Sequence, residues 1–217
     1  MSDKNILVVL SGCGVFDGTE IHEAVISLLS IVRAGASYTC AAPNTDQMHV
    51  INHATGDVSG ETRNVLVESA RIARGQVRDL SEVDVGDYDA VFLPGGFGAA
   101  KNLCTFATEG PECSINADVQ RVLQGFHAAG KPIGAVCISP AVLVRALGNV
   151  TVTIGNDEGT AGALTAMGGQ HADHAVDECH VDADNRVVTA PAYMYETSID
   201  QVALGIEKAV NTVVEMI

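Results

Sequence analysis

The sequence is poor in basic residues and in long apolar runs, and each shortage excludes a class of protein. Lysine and arginine number 12 against 27 aspartates and glutamates, so the formal net charge at pH 7 is −15. Such a surface repels phosphate backbones and anionic lipids, and we therefore expect neither a nucleic-acid nor a membrane partner. No apolar run approaches the roughly 20 residues that a membrane-spanning helix needs.

The cysteines are too few and too scattered to form a disulfide scaffold or a zinc finger. None belongs to a CxxC pair, and the six stand at positions 13, 40, 104, 113, 137 and 179. The first residues pass directly into an apolar run and lack the regions of a secretory signal. We therefore expect reduced thiols and a cytoplasmic protein. The length of 217 residues predicts one large domain over 1–217.

Short apolar runs alternate along the chain with segments of helical spacing. The apolar runs are typical of parallel strands that are buried on both faces. Strands are predicted at 6–10, 37–42, 90–93, 132–136, 150–154, 176–181 and 186–190. Helices are predicted at 20–34, 63–74, 118–129, 140–147, 161–167 and 199–214. Because parallel strands need crossover connections, the alternation predicts a doubly wound α/β fold.

The first helix and two longer excursions between the predicted elements, 43–60 and 104–116, have distinct sequence patterns. Asp17 is predicted to cap the first helix, which should bury its apolar positions. Those positions are Ile21, Ala24, Val25, Leu28 and Val32. Residues 43–60 are polar and rich in turn formers, and they predict no regular element. Residues 104–116 are predicted to be a surface loop with two cysteines.

One cysteine stands where a predicted strand turns into a predicted helix. Cys137 follows Gly134-Ala135-Val136 and precedes Ile138-Ser139-Pro140. A nucleophile elbow needs such a turn, and the positive end of the helix dipole favours thiolate over thiol. The backbone N–H of Ile138 would then point toward an oxyanion formed beside the sulfur. The alternative is a buried cysteine that packs as a small hydrophobic residue.

Two other segments supply groups that could work with this cysteine. Leu93-Pro94-Gly95-Gly96-Phe97-Gly98 leaves a neighbouring strand, and glycine lets backbone N–H groups approach a reacting atom closely. Glu23 lies near the start of the first helix among apolar residues, where burial would raise its pKa and let it carry a proton. A simple turn and a solvated glutamate are the alternatives for these two segments.

Two further patterns indicate ligand binding less well. Gly12-Cys13-Gly14 superficially resembles a dinucleotide loop, but the third glycine falls at 18 rather than 17. Asp17 and Glu20 would also oppose a pyrophosphate. Residues 171–180 are rich in histidine and acidic residues, but strand alternation splits them between two faces. We therefore interpret them as a polar edge strand and expect no metal site.

Taken together, the motifs resemble the ThiJ/PfpI superfamily. The resemblance lies in Glu23, in the elbow 134–140 and in Val91-Phe92-Leu93-Pro94-Gly95-Gly96, which continues to Ala100-Lys101-Asn102-Leu103. Other stretches resemble the ElbB-type branch, which has been associated with isoprenoid biosynthesis. These stretches are Ser11-Gly12-Cys13-Gly14-Val15-Phe16-Asp17-Gly18, Glu20-Ile21-His22-Glu23-Ala24, Glu61-Thr62-Arg63-Asn64-Val65-Leu66 with Ala70-Arg71-Ile72, and Pro191-Ala192-Tyr193-Met194.

The resemblance implies a flavodoxin-like three-layer sandwich with a mostly parallel central sheet. It also implies a homodimer related to class I glutamine amidotransferase domains. The implied activity is a glyoxalase without cofactor, which converts a small dicarbonyl such as glyoxal, or methylglyoxal, to the 2-hydroxy acid. By the same resemblance, Cys137 is the nucleophile and Glu23 is its acid/base partner. The backbone N–H groups of Gly96 and Ile138 form the oxyanion hole.

The departures from related enzymes narrow the expected chemistry. Ile138 occupies the position that is histidine in the protease-like branch, which disfavours a Cys-His peptidase. The downstream His-x-Glu of amidotransferases is absent, since neither His171 nor His174 has a glutamate two residues later. The alternative function is a non-catalytic regulatory module in which Cys137 serves as an oxidation sensor. A chaperone or deglycase action on proteins also stays open.

Overall fold

The computed structural model describes residues 4–217, and most of its strands form one sheet. Seven strands lie in the order β3-β2-β1-β4-β5-β9-β8, and β6 pairs separately with β7. The strands are β1 Asn5–Val9, β2 Ser37–Ala42, β3 Val77–Asp79, β4 Ala90–Leu93, β5 Ile133–Val136, β6 Thr151–Val152, β7 Gln170–His171, β8 His180–Asp182 and β9 Val187–Ala190.

Except for one short helix, Phe106–Glu109, which the sequence does not predict, the α-helices of the described residues lie close to the predicted positions. They are α1 Ile21–Arg33, α2 Val65–Ile72, α3 Phe106–Glu109, α4 Ala117–Ala128, α5 Pro140–Leu147, α6 Glu158–Ala166 and α7 Ile199–Met216. Helices cover both faces of the sheet, and the prediction of a flavodoxin-like α/β sandwich is confirmed. Within the described residues, no helix combines the length and the apolarity needed to cross a membrane.

The register of the central strands brings several loops to one edge of the sheet. β1, β4, β5 and β9 run parallel, whereas β8 runs antiparallel to β9. Leu93 pairs with Ala135, and Val136 pairs with Ala190, so the last residues of three strands lie side by side. Ligand sites of open parallel sheets lie beyond such carboxyl ends. The loops that follow these strands therefore converge.

Alternate residues of the strands build a core layer on each face. In β1, Ile6 and Val8 pack on the side of α1 and α7, and Leu7 and Val9 pack on the side of α4 and α5. All four are at most 2% exposed. A strand that is buried on both faces explains why the sequence shows an unbroken apolar run instead of alternation.

The prediction for α1 is partly wrong. Ala24 and Leu28 are buried, but the other three predicted core positions are exposed by 44–56% of their surface: Ile21, Val25 and Val32. Asp17 is not the cap; Glu20 is the N-cap residue, and its carboxylate accepts the N–H of Glu23 at 2.6 Å. The helix therefore has a second apolar stripe that does not contact the core.

The two excursions also contain more structure than the sequence predicts. Residues 104–116 include α3, and both of their cysteines are buried, with the thiols of Cys104 and Cys113 hydrogen-bonded to each other. An antiparallel bridge between Ile51 and Val58 organises the polar segment 43–60. The sequence misses β3 because this short edge strand has no apolar run.

Candidate active site

Cys137 occupies a sharp turn between β5 and α5. Its backbone φ is 60°, in the left-handed region that side chains other than glycine rarely adopt. The Cys137 N–H donates to Ala190 O at 3.0 Å, and the Ser139 hydroxyl donates to Pro94 O at 2.7 Å. These bonds hold a conformation that costs on the order of 1–2 kcal/mol. Strain of this kind is typical of functional turns, and the geometry is that of a nucleophile elbow.

Glu23 lies in the first turn of α1, and its side chain is fully buried against the elbow. One carboxylate oxygen, Oε2, accepts the Gly95 N–H at 2.9 Å, and Oε1 accepts the Tyr193 N–H at 3.2 Å. The Cys137 thiol donates to the same carboxylate. The two backbone donors fix the orientation of the carboxylate, so that it faces the sulfur.

Burial and, to a smaller extent, the nearby charge of Glu20 raise the pKa of Glu23 to about 7, against the hydrogen bonds that lower it. Burial also raises the pKa of the Cys137 thiol well above its ordinary value, and the charge of Glu23 adds to this effect. The resting pair is therefore a thiol beside a carboxylate that titrates near neutral pH. The thiolate predicted from the helix dipole is wrong as a resting form, because burial outweighs the dipole.

Two backbone N–H groups point at the sulfur, from Gly96 and from Ile138. Gly96 has a φ of 95°, and a side chain there would collide with the backbone of Gly18 and Glu20. These donors hold the position in which an oxyanion would form beside the sulfur. The structure thus brings together the predicted groups, while their catalytic roles stay predictions.

Gly95 is required by a close approach of the elbow to the glutamate. A Cβ on Gly95 would collide with the Cβ of Cys137 and would lie 2.7 Å from Glu23 Oε2. The turn after β4 therefore has no room for a side chain at this position. The sequence pattern Gly95-Gly96 reflects two separate demands, which are space at the first residue and backbone conformation at the second.

A cavity of about 450 Å³ opens beside Cys137. Most of its wall is apolar and comes from the loops after β1, β4 and β5, from the excursion 104–116 and from the turn after β9. The lining residues are Val15, Glu20, Gly96, Phe97, Ala100, Phe106, Ala107, Cys137, Ile138, Thr160, Tyr193 and Met194. Cys137 itself is only 7% exposed, and the cavity is the route by which a small molecule reaches its sulfur.

Two residues of this site are not among the sequence predictions. Tyr193 supplies one of the two backbone donors to Glu23, and its hydroxyl lies 2.9 Å from Nδ1 of His22. Glu20 is buried in the cavity wall and caps α1. The stretch 191–194 is a motif of the resemblance, but no local pattern shows that a backbone group of this turn reaches α1.

The histidine-rich stretch forms one chain of three side chains, in which His174 lies between Glu178 and His180, and one separate pair. His174 Nε2 lies 3.2 Å from His180 Nδ1, and His171 Nδ1 lies 3.3 Å from Asp173. His171 Nε2 also accepts the N–H of Ile154 at 3.2 Å. Among residues 4–217, no group of three or more histidine, cysteine or acidic side chains converges in the way that metal ligands do.

Comparison with protein families gives one match over most of the chain. Residues 8–199 match the model described as the DJ-1/PfpI family. The chain is 49% identical to the glutamine amidotransferase-like class 1 domain-containing protein 3, mitochondrial, of Homo sapiens, over 97% of this chain and 82% of that protein. It is 48% identical to the ES1 protein homolog, mitochondrial, of Rattus norvegicus, over 97% and 83%.

Solved structures share the fold along nearly the whole chain. An isoprenoid biosynthesis protein with an amidotransferase-like domain from Ehrlichia chaffeensis is 40% identical and superposes with a TM-score of 0.92, over 98% of this chain and 99% of that one. A glyoxalase III from Candida albicans superposes with a TM-score of 0.60 at 14% identity, over 95% of both chains. At that identity, the second likeness concerns the fold alone.

The prediction of a cytoplasmic protein is wrong. The curated relatives from Homo sapiens and Rattus norvegicus are named mitochondrial, and so is the ES1 protein of Danio rerio, which is 40% identical. The prediction depended on free thiols and on the lack of a secretory signal. Neither feature distinguishes the cytoplasm from another reducing compartment.

Proposed function

The chain belongs to the DJ-1/PfpI family, and from this premise we propose that it is a cofactor-independent glyoxalase that converts glyoxal to glycolate. One observation above all supports the proposal: the Cys137 thiol donates to a buried carboxylate whose pKa is about 7. We also propose that the chain belongs to the ElbB-type branch, and its likeness to the isoprenoid biosynthesis protein of Ehrlichia chaffeensis supports this.

The organisation of 1–217 as one domain stays a prediction.

In the first step, the sulfur of Cys137 attacks one aldehyde carbon of glyoxal. A C–S bond forms, and the thiol proton passes to the Glu23 carboxylate. The N–H groups of Gly96 and Ile138 stabilise the oxyanion, which then takes the proton from Glu23 and becomes a hemithioacetal hydroxyl. Glu23 is a carboxylate again at the end of this step.

In the second step, Glu23 removes the C–H proton of the hemithioacetal carbon and returns a proton to the neighbouring carbon. The proton of the hemithioacetal hydroxyl passes to the oxygen of the neighbouring carbonyl. The first carbon is thereby oxidised to a thioester while its neighbour is reduced to a primary alcohol. Water then cleaves the C–S bond and releases glycolate and the free thiol. The oxidation and the reduction balance within the substrate, so that the reaction consumes water and no external oxidant.

The proposed function is tested by following glyoxal and the protein alone with proton NMR. Glycolate is expected to appear as fast as glyoxal disappears, at a rate at least about 100-fold above that of a sample without protein. Loss of glyoxal without glycolate would indicate modification of surface side chains and would contradict the proposal. Heat-denatured protein at the same concentration is the control for such modification.

The alternative, an oxidation sensor, receives less support from this geometry. Peroxide reacts with thiolates, and a sensor cysteine therefore has a low pKa and an accessible sulfur. The pKa of the Cys137 thiol is raised, and the residue is 7% exposed. A thiol that loses its proton only to a neighbouring base during attack is better suited to aldehyde addition.

We also propose that the protein acts as a homodimer through α1. Four apolar side chains on the outer face of this helix are 44–56% exposed and recur at helical spacing: Ile21, Val25, Leu29 and Val32. Such a stripe can pack against its own copy across a twofold axis. A second copy of the chain would bury these four side chains, which do not contact the core.

The dimer is tested by placing a charge in the middle of the stripe. Leu29→Lys is expected to weaken self-association at least about tenfold and to give the mass of one chain in sedimentation velocity. Val67→Lys, at a 62% exposed position on α2, is the matched control and should keep the mass of the wild type. An unchanged dimer in Leu29→Lys would assign the interface elsewhere.

A further inference from the structure

The cavity beside Cys137 is larger than glyoxal requires. Its volume of about 450 Å³ lies within the range of roughly 300–1,000 Å³ that is typical of pockets for drug-sized ligands. Glyoxal is the size of about two or three water molecules, each of which takes about 30 Å³ of liquid volume. Most of the cavity would therefore stay unfilled if glyoxal were the substrate.

The wall of the cavity is mostly apolar and includes two phenylalanine side chains. Phe97 lies in the loop after β4 and is 49% exposed, so it contributes to the cavity wall rather than to the core. Phe106, at the start of α3, lies in the same wall, as do Ile138 and Met194. Aromatic and thioether side chains of this kind favour flat apolar groups through stacking and dispersion.

The charge of the site disfavours an anionic substrate. Among the described residues that line the cavity, Glu20 is the one acidic side chain, and none is lysine, arginine or histidine. Lys101 lies outside the lining; its ammonium group donates to Phe16 O at 2.9 Å and lies 5.2 Å from the Phe97 ring centre. A carboxylate or phosphate on the substrate would thus meet repulsion without a cation in the wall.

We propose that the preferred substrates are uncharged 2-oxoaldehydes that carry an aromatic or branched apolar substituent. This inference depends on the proposed function and names its substrate class. The aldehyde carbon lies at Cys137, and the developing oxyanion lies at the N–H groups of Gly96 and Ile138. The substituent then occupies the apolar part of the cavity, whose wall includes Phe97 and Phe106. The ketone carbon receives the proton that Glu23 removes from the neighbouring carbon.

The first test compares three probes under identical conditions: glyoxal, phenylglyoxal and 4-carboxyphenylglyoxal. The internal transfer converts phenylglyoxal and water to mandelate, as it converts glyoxal and water to glycolate. We expect kcat/KM for phenylglyoxal to exceed that for glyoxal by at least about 10–100-fold, chiefly through a lower KM, because a single methylene group in an apolar pocket already discriminates by about that much. The carboxylate should lower kcat/KM at least about tenfold relative to phenylglyoxal.

The second test reduces the size of the cavity. Ala107 is exposed on α3 and lines the cavity, so Ala107→Phe can fill space without disturbing the core. The variant is expected to lower the ratio of phenylglyoxal to glyoxal kcat/KM at least about fivefold. Ala128→Phe, at an exposed position at the end of α4, introduces the same side chain away from the cavity and should keep the ratio of the wild type.

The possible outcomes separate this inference from the proposed function. Turnover of glyoxal with no preference for phenylglyoxal overturns the substrate class and leaves the glyoxalase proposal standing. A preference that Ala107→Phe does not reduce overturns the assignment of the substituent to this cavity. Failure to convert either uncharged probe overturns the proposed function and this inference with it.

Discussion

Replacing Cys137 with alanine is expected to lower glyoxal conversion by a factor on the order of 10³–10⁶, to the level of binding and oxyanion stabilisation alone. The change removes the sulfur that forms the bond to the aldehyde carbon. It leaves the φ of 60° in place, and the alanine side chain is smaller, so the elbow should keep its shape. Glycolate formation by proton NMR measures the loss.

Two controls make this result specific to the elbow. Cys179→Ala removes a half-buried thiol that lies 3.9 Å from Thr212 Oγ1 and should keep wild-type activity. The circular dichroism spectrum and thermal midpoint of Cys137→Ala should stay close to those of the wild type. A folded Cys137→Ala protein that converts glyoxal at the normal rate would contradict covalent catalysis at this residue.

The sequence predicts the central sheet well because its strands are buried on both faces. Runs such as 90–93 and 132–136 are apolar without interruption, and a helix follows each at a spacing that parallel topology demands. The pattern fails at the margins. Val77–Asp79 pairs at the sheet edge through backbone bonds, and backbone pairing at an edge leaves little trace in side-chain composition.

The residues of the site also differ in how well the sequence predicts them, because some form local patterns and others depend on the fold. The elbow at Cys137 and the turn at Gly95-Gly96 are local features, and their residues appear consecutively in the sequence. Glu23 is identified through a resemblance, because local spacing would equally suit a solvated glutamate. The contact of Tyr193 with Glu23 joins residues 170 positions apart, and it depends on the strand order of the fold.

The protonation state of Cys137 could not be predicted from the sequence for a different reason. A helix N-terminus lowers the pKa of a thiol, and from the sequence this is the visible effect. Burial and a neighbouring carboxylate raise the pKa, and both depend on tertiary packing. Burial destabilises the thiolate more than the helix N-terminus stabilises it. The structure therefore has a resting thiol where the sequence predicts a thiolate.

The second large effect is expected from Glu23→Gln, which removes the base. General acid–base groups contribute about 10²–10⁴-fold, and kcat/KM should fall by that factor. In the wild type, Glu23 must be a carboxylate to accept the thiol proton, and its pKa is about 7. Activity should therefore rise about tenfold per pH unit below pH 7 and become constant above it. The variant lacks this carboxylate and should lose the rise.

Glu20→Gln is the matched control, because it changes a carboxylate in the same cavity wall that is not hydrogen-bonded to the sulfur. The charge of Glu20 raises the pKa of Glu23, so removing that charge should move the midpoint of the pH profile below 7 while the rise itself persists. A flat profile in Glu20→Gln, or an unchanged rise in Glu23→Gln, would assign the titration to another group.

Stability provides a readout of the same carboxyl that does not depend on turnover. The pKa of Glu23 is raised on folding from 4.5 to about 7, so the folded protein holds this proton more tightly. The corresponding stability is fully present below pH 4.5 and is lost as the pH rises through 7. Relative to Glu23→Gln, the wild type should lose about 3 kcal/mol of unfolding free energy between pH 4 and 8, at about 1.4 kcal/mol per pKa unit. Urea denaturation of both proteins at each pH measures this difference in unfolding free energy. If the difference between wild type and variant did not change with pH, Glu23 would have an ordinary pKa.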